Sequence, residues 1–82
     1  MKRETDPLIV GRLRGAELLL EVGIGDREGV AAGLVAAGAD VRATDVRPVA
    51  VPDGVQFRGE DVTTIEEPDA FHRVDVIYAL NS

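Results

Sequence analysis

Glu17-Leu18-Leu19-Leu20-Glu21-Val22-Gly23-Ile24-Gly25-Asp26 decides how the rest of the chain is read. The near-continuous apolar run up to Val22 predicts a strand buried on both faces, as in a parallel sheet. Gly23-Ile24-Gly25-Asp26 makes a glycine turn directly after it. A helix is predicted from about Arg27 to Ala37, with Asp26 as its cap and Gly38 as its stop. Val30, Leu34 and Val35 mark its buried side. Gly29 and Gly33 stand one turn apart on one face, a spacing that permits close approach to the sheet.

Downstream, Asp40-Val41-Arg42-Ala43-Thr44-Asp45 predicts a second strand, completing a strand–helix–strand unit. Such a crossover is right-handed, with its strands parallel. Residues 46–54 hold Pro48, Pro52 and a closing Asp53-Gly54, so they read as a loop rather than a second helix. Val55 to Arg58 form a third, short strand. Thr63 or Thr64 is expected to cap a brief helix through Glu66 to Phe71. Val74 to Leu80 form a fourth strand. Upstream, Asp6-Pro7 opens a short helix with Leu8, Ile9, Val10 and Leu13 on its apolar face, and Gly15 ends it. The pattern is a Rossmann-like α/β fold: a parallel sheet of four strands, in the order 3-2-1-4, with flanking helices. One domain covers residues 1–82. It is expected to be a half-domain truncated after the fourth strand, whose open edge offers a surface for pairing with a second copy.

Eighty-two residues suffice for one small domain. With two Phe, one Tyr and no Trp, the core must be built from Val, Leu, Ile and Ala. The net charge of −6 disfavours non-specific nucleic-acid binding, because an acidic surface repels phosphates. Eight arginines accompany a single lysine, Lys2. Acid excess with almost no lysine resembles the composition of halophilic archaeal proteins. A high-GC genome also favours Arg, Ala, Gly and Val, and composition does not separate the two. The absence of cysteine excludes disulfides, thiolate metal sites and a cysteine nucleophile. A lone His72 makes no His-rich metal site, and no metal is expected. No apolar run approaches the length of a membrane span, and Met1-Lys2-Arg3-Glu4 leads into polar residues without a signal segment. A cytoplasmic protein is the expectation.

The chemistry sits at the carboxyl ends of the predicted strands. Gly23 and Gly25 let the backbone turn sharply and approach a ligand closely. The following helix offers free N–H groups at its start. Asp45 ends the second strand, twenty residues after Gly25, where a carboxylate accepts hydrogen bonds from both hydroxyls of a ribose. Glu60-Asp61-Val62 follows the third strand, and Asp61 there reaches the exocyclic amine of an adenine. Asp61 beside Glu60 equally fits a solvated acidic surface, and Glu21 equally fits a cap on backbone donors near the turn. His72 reads as a surface or half-buried residue with no catalytic partner. Tyr78 reads as packing against a helix. Glu66, Glu67 and Asp69 read as an exposed acidic face, and Arg12, Arg14 and Arg47 as snorkelling or pairing with acids.

Glu21-Val22-Gly23-Ile24-Gly25 resembles the first motif of class I S-adenosylmethionine-dependent methyltransferases, an acidic residue followed by Gly-x-Gly. Asp45 matches the ribose-holding acid of that family, Asp61-Val62 the acid–hydrophobic pair near the adenine, and Asp75 to Leu80 the strand before the catalytic loop. The Pro-rich connection and small size look more like a compact, uncharacterised archaeal Rossmann-like family related to those enzymes. The resemblance implies a site for S-adenosylmethionine or its demethylated product, built from Glu21, Gly23, Gly25, Asp45 and Asp61. It implies no catalytic residue, because Asn81-Ser82 stops short of the catalytic motif. Arg27 stands where the methyltransferase motif often has a third glycine, and Glu28 where dinucleotide-binding folds have theirs. Glu28 near a helix start repels a pyrophosphate, whereas a cationic sulfonium tolerates acidic walls. A non-catalytic binding or assembly module remains the alternative, and a dinucleotide-binding domain a third reading.

Overall fold

Leu18–Val22 is the central strand, β1, of a four-stranded parallel sheet. The structure, a computed structural model, describes residues 6–80. Met1 to Thr5, and the Asn81-Ser82 pair where the catalytic motif was sought, lie outside the described residues. In chain order the other elements are α1 (Asp6–Leu13), α2 (Gly29–Ala36), β2 (Asp40–Asp45), β3 (Val55–Gly59) and β4 (Val76–Tyr78). The strand order is β3-β2-β1-β4, the expected 3-2-1-4.

Strand periodicity sorts the side chains into two faces. On one face Leu19 lies beside Val41 and Val76, Glu21 beside Ala43 and Tyr78, and Val41 beside Val55. Both helices cover this face. Leu19, Ile24, Val30, Ala31, Leu34, Val41, Ala43 and Val55 make the buried core, with Ile9, Val10 and Leu13 of α1 packed against it. The core is aliphatic, as the scarcity of aromatics requires. The other face carries Arg42 and Arg58, and the β3–β4 connection crosses over it. Arg42 donates to the carbonyls of Ala70 and Phe71, at 2.8 and 3.1 Å. The Arg58 guanidinium lies 4.3 Å from the Phe71 ring centroid and 2.9 Å from Asp69.

Three local expectations are corrected. The helix from Thr63 or Thr64 to Phe71 is replaced by two 3-10 turns, Val62–Thr64 and Ala70–His72. Pro68 between them lacks an N–H and cannot continue a helix. Asp61 and Asp69 cap the two turns by accepting the N–H groups of Thr63 and Phe71. Asp26 does not cap α2, which starts at Gly29 after Glu28 and has no side-chain cap. The reason is a further turn, closed by the Arg27 N–H on the Ile24 carbonyl at 3.1 Å, which keeps Asp26 ahead of the helix. Gly33 faces α1 rather than the sheet: a Cβ there would stand 2.7 Å from Cγ2 of Val10. Gly38 ends α2 as expected, with φ +94° and the paired Gly38→Val35 and Ala39→Leu34 bonds of a Schellman cap.

Gly33 therefore sets the spacing between the two helices. Gly33→Ala is expected to destabilise the chain by about 1 kcal/mol, because overpacking outweighs the gain in helix propensity. In a Val10→Ala background the same substitution is expected to stabilise. Thermal melts of the four members of the cycle check the change of sign.

Candidate functional site

Two left-handed glycines shape the carboxyl end of β1: φ is 69° at Gly23 and 54° at Gly25. An L side chain is disfavoured at both. The turn they make folds onto β2. The N–H groups of Gly23 and Ile24 both donate to the Thr44 carbonyl, at 2.8 and 3.2 Å. Gly25 N–H donates to Oδ2 of Asp45 at 2.8 Å. Ile24 between the glycines is fully buried in the core. These three amides are thus aimed at the neighbouring strand, and contact with a ligand must come from close backbone approach and from side chains.

Asp45 is the joint of the site. Its other oxygen, Oδ1, accepts the Arg47 N–H at 2.9 Å, and the Arg47 guanidinium stands 3.5 Å away. The carboxyl is 5% exposed and held below the usual carboxylate range, chiefly by the Arg47 N–H and also by the Gly25 N–H and the Arg47 charge. One side chain therefore ties the β1 turn to the β2–β3 loop. Between turn and loop lies a cavity of about 560 Å³, with Gly25, Asp26 and Glu28 on one side and Arg47, Pro48, Val49 and Ala50 on the other. It opens outside the carboxyl ends of the strands, where ligands sit in open α/β sheets.

Glu21 lies below the turn on the helix-covered face and is fully buried. Tyr78 is its partner across the β1–β4 pair. Arg27 is 3.5 Å from Asp6 and donates to the Leu80 carbonyl at 3.2 Å. No well-formed hydrogen bond reaches either carboxylate oxygen of Glu21, although the Tyr78 hydroxyl faces it across the strand pair. Burial pushes Glu21 up to about 7, against a smaller downward pull from the Tyr78 hydroxyl and the Arg27 charge, while the Asp6 charge adds a small upward push. Tyr78 is in turn pushed up by its own burial and by Glu21.

Of the five residues expected at the site, Gly25 lines the cavity, Gly23 shapes the turn and Asp45 joins the two walls. Glu21 is behind the turn. Asp61 is exposed beyond the end of β3 and caps its own 3-10 turn, accepting the N–H and hydroxyl of Thr63 at 3.0 and 2.6 Å. Those bonds lower its pKa. Of the five only Gly25 is in the cavity lining; Gly23, Asp45, Glu21 and Asp61 are not. The sequence reading missed the Asp6–Arg27–Glu21–Tyr78 grouping. Its one available signal was Glu21 itself, an acid inside an apolar strand. His72 does have a carboxylate partner: Nε2 is 2.7 Å from Glu60, while Nδ1 accepts the Asp69 N–H at 3.2 Å. Both ring nitrogens are engaged in fastening the β3–β4 connection. Among the described residues no group of three or more His, Asp or Glu could hold a metal ion, and no helix is long and apolar enough to cross a membrane.

The model of UPF0146, an uncharacterised protein family, matches residues 7–82. The chain belongs to this family. A UPF0146 protein from each of two strains of the halophilic archaeon Halobacterium salinarum is 39% identical to it over 74 residues. The match takes in 90% of this chain and 57% of each relative, so the chain spans little more than half the length of those UPF0146 proteins. Their source agrees with the halophilic resemblance of the acid-rich, lysine-poor composition. No solved structure matches the chain. The family's description assigns no activity, and nothing in these matches supports a methyltransferase classification.

Asp45 and Glu21 should leave opposite marks on stability. Asp45→Ala is expected to cost about 3 kcal/mol near neutral pH, from two charge-assisted hydrogen bonds. A lowered carboxyl stabilises above its unfolded value, so this deficit should close as the pH falls below 3.8. Glu21 is raised, so between 4.5 and about 7 the folded chain holds a proton that the unfolded chain has lost. Stability from this group therefore falls by about 3 kcal/mol as the pH rises through that window. Glu21→Gln should remove this slope. Urea titrations between pH 3 and 9, a range of roughly six units chosen to span both windows, check both variants.

Proposed function

We propose that the crevice between the glycine turn and the β2–β3 loop binds S-adenosylmethionine or its demethylated product, and that the chain is the cofactor half of a methyltransferase-like protein. The bond from Gly25 N–H to Asp45 carries this reading. It brings the first glycine motif and the strand-end acid, far apart in sequence, to one point beside a cavity. An ionised carboxylate accepts about four hydrogen bonds, so Oδ2 of Asp45, which takes the Gly25 N–H, keeps a lone pair for a ribose hydroxyl, while Oδ1 is taken up by Arg47. Asp26 and Glu28 make the facing wall acidic, which suits a cationic sulfonium and opposes a pyrophosphate. Pro48, Val49 and Ala50 offer apolar surface to a base. Catalysis in such a site is mainly positioning of the methyl donor, and no residue of this chain is assigned a bond-making step. The methyl acceptor would be met by structure beyond this half-domain.

A second reading, a non-catalytic assembly module, draws on β4. It is an edge strand, and Ile77 on it is 60% exposed. A second copy pairing along that edge would cover both.

Calorimetry with S-adenosylmethionine, its demethylated product and NAD tests the proposal, at low and at high salt. Saturable binding of both adenosyl compounds is expected, without binding of NAD. Ala50→Trp should abolish it by filling the cavity from an exposed loop position, with the circular dichroism spectrum unchanged. A folded chain that binds neither adenosyl compound would remove the proposal and leave the assembly module, whose sign is a dimer in sedimentation.

A further inference from the structure

Arg47 is fastened to Asp45 twice, and the two fastenings differ in strength. Its backbone N–H donates to Oδ1 of Asp45 at 2.9 Å, which fixes the start of the β2–β3 loop. Its guanidinium is held far less firmly. Nε lies 3.5 Å from the same oxygen, beyond the range of a good hydrogen bond, and the side chain is 71% exposed. An ion pair this open contributes little, and holding it costs a long side chain its rotamer freedom. Among the described residues no other carboxylate pairs with Arg47. The guanidinium can therefore leave Asp45 at small cost. The loop need not follow it, because the backbone bond stays.

The crevice gives such a cation a use. Arg47 is the one basic residue in its lining, and Asp26 and Glu28 stand on the opposite side. Opposite charges on facing walls suit a group that carries both signs. The amino-acid end of S-adenosylmethionine is such a group, with an ammonium and a carboxylate on one carbon. The acids are placed for the ammonium. The turn amides of Gly23, Ile24 and Gly25 point at β2, which leaves Arg47 as the charged donor for the carboxylate. The ribose supplies a second reason for the guanidinium to move. While it rests on Asp45, Oδ1 is taken up and Oδ2 has room for one hydroxyl. Its departure frees a lone pair on Oδ1 for the other hydroxyl. We propose that Arg47 selects a ligand bearing an amino-acid carboxylate: its guanidinium leaves Oδ1 of Asp45 for that carboxylate and opens the oxygen to the ribose. This inference rests on the adenosyl reading of the crevice.

Calorimetry with S-adenosylmethionine and with its decarboxylated form tests it, because the two differ only in the carboxylate. Removing the carboxylate makes the ligand more positive, and a chain of net charge −6 attracts that form more strongly by charge alone. The intact compound is nevertheless expected to bind about tenfold more tightly, the order of one charge-assisted pair. Arg47→Met keeps the backbone N–H and removes the guanidinium. It should weaken the intact compound by about tenfold and leave the decarboxylated form no weaker. Arg47→Lys should restore part of the preference. Equal or tighter binding of the decarboxylated form to the unaltered chain would overturn the role of Arg47 and leave the adenosyl reading standing. So would a preference that survives in Arg47→Met, or an equal loss of both compounds there, which would make the guanidinium a prop for Asp45. Binding of neither compound to the unaltered, folded chain would remove the adenosyl reading, and this inference with it.

Discussion

A single carboxylate holds the working end of this sheet together. Asp45 receives Gly25 N–H on one oxygen and Arg47 N–H on the other. Loop residues 46–54 contain no regular element, so these bonds, together with Val49 and Val51 packed on the core, hold the loop against the β1 turn. The bonds are charge-assisted and nearly dry, which makes each stronger than a neutral bond at the surface. They also require the acid to be ionised, so the depressed pKa and the fixed turn are one fact seen from two sides.

The same end of the sheet contains an acid in the opposite condition. Glu21 occupies β1 among apolar side chains and is raised rather than lowered. The difference is one of burial first and of partners second: burial dominates at Glu21, and backbone donors dominate at Asp45. Asp45 is supplied with backbone donors, whereas Glu21 is offered a phenol and a share of one arginine. Two acids on adjacent strands, Glu21 beside Ala43 and Asp45 two positions further on, thus respond to pH in different ranges, the pattern by which folds separate the roles of like groups.

The strand order and the glycine turn were readable because each rests on local pattern. The run Leu18 to Val22 had to be a two-sided strand, and Gly-x-Gly after it had to turn. Asp45 was readable by its distance from Gly25 together with its place at the end of a strand. What escaped was non-local or depended on competing local bonds. Pro68 and the capping acids Asp61 and Asp69 turned an expected helix into two short turns. Gly33 was correctly marked as a close approach, but the choice between sheet and α1 depends on the angle at which the helices meet, which no spacing records. Asp6, Arg27 and Tyr78 come from three separate elements, and only the fold makes them neighbours of Glu21.

The direction of the turn amides narrows what the crevice can do. In glycine loops that cradle phosphate, backbone N–H groups point at the ligand. Here those of Gly23, Ile24 and Gly25 point at β2. The nearest side chains include two acids, Asp26 and Glu28, against one exposed arginine, Arg47. Such a wall has little to offer a phosphate and more to offer a cation or a neutral sugar. In the proposed site the glycines would serve shape rather than charge: a backbone without side chains would lie close to the ligand, and the polar contacts would fall to Asp45 and the loop. A site built this way would select by fit along its apolar side and by electrostatic exclusion of polyanions, and the net charge of −6 of the whole chain acts in the same direction.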